Sequence, residues 1–103
     1  MNVRGIDANY YTAVDINTLT DFYSKLLGEE PVVRMDRISE WTFSDGTSFG
    51  LYMAGGKTGG RSGSVMFAVD EFPAGNEITD TPVCQMVFGY DPEGNQYILH
   101  KRK

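Results

Sequence analysis

Tyr10-Tyr-Thr-Ala-Val-Asp15-Ile-Asn-Thr-Leu-Thr-Asp-Phe-Tyr-Ser-Lys-Leu-Leu-Gly28 is the stretch on which the fold turns. Its first part belongs to an aromatic and β-branched run from Ile6 to Val14, the composition of a strand, which ends at Asp15. From Ile16 the apolar residues recur at Leu19, Phe22/Tyr23 and Leu26/Leu27, a spacing that lines them along one side of an α-helix. Asp15 has the short acceptor side chain that satisfies free amides at a helix start, and Gly28 tolerates the left-handed backbone that ends one. The stretch reads as strand, helix, stop.

Outward from it, Pro31 to Arg37, Ile38 to Phe43 and Ser48 to Met53 read as three meandering strands, the last entered through the Asp45-Gly46 turn. Residues 54–63 are glycine-rich without apolar periodicity and read as a flexible connection. Strand patterns resume at Val65 to Val69, Val83 to Tyr90 and Gln96 to His100, the last two joined by the turn Asp91-Pro92-Glu93-Gly94. Between Glu71 and Pro82, Pro73 and Gly75 interrupt any helical stripe. The second half thus has its helix shortened or missing.

This order resembles the paired βαβββ modules of the vicinal oxygen chelate superfamily, which includes glyoxalases, bleomycin resistance proteins and extradiol dioxygenases. Three motifs carry the resemblance: Tyr11-Thr-Ala-Val-Asp15 followed by Phe22-Tyr-Ser-Lys-Leu-Leu-Gly28; Val65-Met-Phe-Ala-Val-Asp70; and Pro82-Val-Cys-Gln-Met86 with Asp91-Pro-Glu-Gly-Asn95. The resemblance implies an α+β chain with a curled mixed sheet in one domain over 1–103: module one at 1–54, a connector at 55–63 and module two at 64–103. It also implies four metal-ligand positions, one per strand. Carried over by motif, they fall on Ala8, Gly50, Ser64 and Ile98. Divalent metals need converging His, Glu, Asp or Cys donors, and these four positions supply none. The expectation is therefore a metal-free binder rather than a metalloenzyme, with no cofactor.

Strand alternation places Tyr10 and Thr12 beside Ala8, Tyr52 beside Gly50, Met66 beside Ser64, and Gln96 and His100 beside Ile98. Trp41, Met86 and Phe88 are expected to add to this lining. These side chains either line an open cup or fill a closed core. An apolar cup with few polar groups suits a small hydrophobic compound, and tyrosine and tryptophan faces favour a cationic one. Two alternatives stand beside that reading: a metal-independent isomerase or lyase using His100, Glu40 or Tyr10, and a dimeric interaction module without ligand.

The remaining signals bound the function. The net charge is −5, and three of the nine basic residues are Lys101, Arg102 and Lys103 at the C-terminus, so the rest of the chain is more acidic still. Such a surface repels nucleic acid. No apolar run reaches the roughly 20 residues that span a bilayer, and the lone Cys84 forms no internal disulfide; a cytoplasmic protein is expected. Cys84 has no neighbouring base and reads as a buried structural thiol. Gly55-Gly-Lys-Thr58 fails as a phosphate loop because Leu51 stands where that motif needs glycine. The Asp91 turn lacks the alternating carboxylates of a calcium loop. A missing second helix would bare Val65, Phe67 and Val69, and bare apolar patches mark interfaces, so a homodimer is expected.

Overall fold

The computed structural model describes residues 1–53 and 63–103, so all of the expected connector except Gly63 lies outside the described residues. The first half contains β1 (Ala8–Thr12), α1 (Ile16–Leu27), β2 (Val33–Arg34), β3 (Ile38–Thr42) and β4 (Ser48–Tyr52). The second contains β5 (Ser64–Ala68), β6 (Thr79–Asp80), β7 (Cys84–Tyr90) and β8 (Gln96–Arg102). The class is α+β. The expected sheet is realised as two open four-stranded sheets of the same topology, β1-β4-β3-β2 and β5-β8-β7-β6. In each, the first strand of the half runs parallel to the last, and the other pairings are antiparallel.

The helix is built as its end residues require. Asp15 accepts the Thr18 amide at 3.1 Å, and Gly28 adopts φ 71°, from which its N–H reaches the Ser24 carbonyl. Ile16, Leu19, Thr20 and Tyr23 form the buried stripe. Thr20 is tolerated there because its hydroxyl pairs with that of buried Ser39 at 2.8 Å. No helix forms between β5 and β6. The strand β6 has no counterpart among the runs read from the sequence.

Each sheet has a helix-side face and an open face, and the helix-side faces share one core. Tyr11, Trp41, Phe49 and Leu51 from the first sheet join Leu19 and Tyr23 from α1 and Phe67, Val87 and Leu99 from the second sheet. Ring centroids lie 4.9 Å apart for Tyr23 and Phe49 and 5.1 Å apart for Phe49 and Phe67. The patch around Phe67 that a missing helix was expected to bare is therefore partly covered: Phe67 is buried, and Val65 and Val69 pack at the margin of the core. The first half's aromatics stand in for the absent helix.

Polar groups stitch the halves together. The Tyr11 hydroxyl accepts the Val65 amide and donates to the Gln96 carbonyl, bridging β5 and β8 from β1. Burial pushes the pKa of Tyr11 up to about 12, which keeps the phenol protonated and able to donate. The Glu93 carboxylate accepts the Val14 and Asp15 amides, both at 2.8 Å, just ahead of the helix.

Candidate functional site

The open face of the first sheet gathers four of the residues picked out from the sequence, Tyr10, Thr12, Glu40 and Tyr52. Tyr10 lies opposite Gly50, and Thr12 opposite Tyr52, in the parallel β1–β4 register. The Tyr10 ring lies where a Cβ on Gly50 would be, so glycine is what lets it lie flat on the sheet. It meets Tyr52 edge to face with centroids 6.0 Å apart. Its hydroxyl donates to Glu40 Oε1 at 2.7 Å, and that bond, with lesser help from desolvation and the glutamate charge, pushes the phenol up to about 12. Tyr10 and Tyr52 nevertheless remain 36% and 42% exposed.

The open face of the second sheet gathers five more. Met86 lies opposite His100, Phe88 opposite Ile98 and Tyr90 opposite Gln96 across β7 and β8. Met66 sits beside Ile98 through the β5–β8 pairing. Met66, Phe88 and Tyr90 are exposed. His100 and the Tyr10–Glu40 pair thus stand on different sheets.

Trp41 does not join either group. Expected in the cup, it is fully buried on the helix-side face, packed against Tyr23 and Phe49, with its indole N–H donated to the Glu29 carbonyl at 2.9 Å. The β3 sequence Ile38-Ser-Glu-Trp-Thr42 alternates, but Ile38 and Glu40 share the open face while Ser39 and Trp41 go inward.

The four positions at which the resemblance implies metal ligands do not fit a divalent ion. Ala8, Gly50 and Ile98 have no donor atom, the space above Gly50 is taken by the Tyr10 ring, and Ser64 offers only a neutral hydroxyl. Among the described residues no three His, Cys, Asp or Glu side chains converge.

A cleft of about 890 Å³ opens elsewhere, on the helix side. Its walls are the C-terminal end of α1, the β3–β4 turn, and β5 with the segment that follows it. Of the residues expected in the cup it includes only Met66, and it takes in Val65, Phe67 and Val69, the patch that a missing second helix was expected to bare. Beyond that patch no sequence signal marks it, because Phe43, Phe67 and Phe72 come together only through the packing of the two halves.

No family model matches the sequence, and no curated protein matches it. Solved structures do match. A glyoxalase/bleomycin resistance protein from Albidiferax ferrireducens T118 superposes with a TM-score of 0.75 at 18% identity, covering 95% of this chain and 98% of that one. The chain has the glyoxalase/bleomycin resistance protein fold. A second such protein, from Catenulispora acidiphila DSM 44928, gives a TM-score of 0.71 at 16% identity over 94% of this chain and 98% of its own. A glyoxalase-related enzyme from Fulvimarina pelagi gives 0.74 at 12% identity over 96% and 88%. Within this glyoxalase/bleomycin resistance fold, no helix among the described residues is long and apolar enough to cross a membrane.

Proposed function

We propose that this protein binds a small hydrophobic compound, cations included, without metal or cofactor, and that its cup forms between two copies of the chain. The observation that carries this reading is the bare apolar surface on both open faces: Tyr10 and Tyr52 on one sheet, and Met66, Phe88 and Tyr90 on the other, all left exposed while the opposite faces close on a shared core. Because those opposite faces share one core, the two open faces point away from it and from each other. The first sheet of one copy set against the second sheet of another brings Tyr10, Thr12, Glu40 and Tyr52 toward Met66, Met86, Phe88, Gln96 and His100. Glu40 gives that cup its negative charge, and the tyrosine faces favour a cation.

The acidic chain argues for this class of partner and against nucleic acid. The lone thiol, buried and unpaired, fits a cytoplasmic setting. Catalysis by His100 with Glu40 or Tyr10 would need the same pairing of chains, since one chain holds them on separate sheets.

Complementation tests the reading. Tyr52→Ala and Phe88→Ala chains each lose the cup's share of the thermal shift that a cationic aromatic dye produces in the parent protein. Mixed and allowed to exchange subunits, they regain part of it, because each mixed dimer rebuilds one intact cup. A monomer in sedimentation, or mixing that restores nothing, refutes the two-chain cup.

A further inference from the structure

The helix-side cleft is separate from the open faces and unlike them in chemistry. Its apolar surface comes from Leu26, Leu27, Phe43, Phe67, Phe72 and Leu99. Phe43 and Phe67 meet edge to face with centroids 6.3 Å apart. Around this surface stand four carboxylates, Glu29, Asp45, Asp70 and Glu71, and no Lys or Arg among the described lining residues. The amide and hydroxyl of Thr47 reach Asp45 Oδ1 at 3.0 and 2.7 Å and hold its carboxyl below the usual range, so that charge is permanent at neutral pH. The C-terminal end of α1 adds the negative end of a helix dipole.

We propose that this cleft is a second binding site, for an organic cation with a hydrophobic body, formed where the second sheet lacks a helix of its own. The volume falls within the range of small-molecule pockets, roughly 300–1,000 Å³. Phenylalanine faces attract a cation whose charge is spread over alkyl groups. The carboxylates are exposed at the rim, so they keep their water while attracting that charge, and no ion is left buried without a partner. An anion of the same size meets four like charges and is rejected. The inference is independent of the open-face cup, because the two surfaces share only Met66.

Benzyltrimethylammonium and toluenesulfonate, titrated separately into the intact ¹⁵N-labelled protein, test it. The cation is expected to shift amide resonances of Phe67, Val69, Asp70 and Phe72 as a set with its own saturation curve, distinct from any shifts of Tyr10, Tyr52 and Phe88 that arise in the cup, while the anion leaves the cleft set in place. Asp70→Asn with Glu71→Gln, both exposed positions whose exchange leaves the fold intact, should weaken cation binding about three- to fivefold and reduce its salt dependence. No shift, shifts confined to the open faces, or equal binding of the anion would overturn the proposal. A Phe88→Ala chain, impaired in the cup, should bind the cation here unchanged; loss of binding in that chain also overturns it.

Discussion

Tyr23 of α1 donates its hydroxyl hydrogen to Asp91 Oδ2, 2.8 Å away in the turn between β7 and β8. The same carboxylate accepts the Glu93 and Asn95 amides at 2.9 Å and the Asn95 side-chain amide at 2.8 Å. A turn that reads as a simple hairpin connection is thus the polar anchor by which the second half holds the helix of the first. Asp91 is buried, so each of these donors would be left in a dry place without it.

Tyr23→Phe is expected to destabilise the fold by about 1–2 kcal/mol in urea denaturation, the cost of one charge-assisted buried bond. Asp91→Ala strands several donors together and should cost about 3 kcal/mol or more. The double variant should cost less than the sum of the two. Strict additivity would mean that the bond does not form in solution.

Alkaline titration reads the same network. Burial, reinforced by the Asp91 bond and charge, drives the Tyr23 phenol far above its usual range; burial takes Tyr11 to about 12, and the Glu40 bond takes Tyr10 to about 12. These folded-state values are raised, so their stabilisation is whole below the unfolded tyrosine pKa of about 10 and is lost as pH rises from there through 12. Stability should hold level to about pH 9 and fall beyond 10. In absorbance titration, these three tyrosines and Tyr97, also pushed up by burial, should ionise later in the native protein than in urea.

How far the sequence carried the reading depends on whether a feature is local. The helix was legible because its caps, Asp15 and Gly28, and its buried stripe lie within one short stretch. The strands β7 and β8 were legible because a sharp turn separates two apolar runs. β6, at Thr79–Asp80, was not, since two residues carry no alternation. The inward turn of Trp41 was hidden for a different reason. Its strand mate Ser39 is polar and is buried only because Thr20, on the helix, meets its hydroxyl. Of the helix-side cleft only the patch Val65, Phe67 and Val69 was legible, from the missing helix; its other walls, the end of α1, the β3–β4 turn and the segment after β5, meet it only in the fold.

Gly28→Ala isolates backbone strain. At φ 71° a side chain is disfavoured, yet a Cβ there meets nothing within 4 Å, so no packing term offsets or adds to the cost. The expected loss is about 1 kcal/mol, seen as a lower urea midpoint with an unchanged slope. Gly28→Asn should lose less, because asparagine enters the left-handed region more readily.

Gly50→Ala separates the shape of the candidate cup from the stability of the fold. The new methyl group overlaps the Tyr10 ring, and the ring, already partly in solvent, swings outward rather than forcing the strands apart. Swinging outward breaks the bond to Glu40, so the Tyr10 phenol should titrate closer to the ordinary value of about 10 than to 12. Stability should change by less than about 1 kcal/mol, since the helix-side core is untouched and alanine suits a strand better than glycine. Dye binding to the open face should nonetheless weaken, because the flat tyrosine surface is gone. A variant that unfolds, or that keeps both the raised Tyr10 pKa and full dye binding, would contradict the placement of that ring on Gly50.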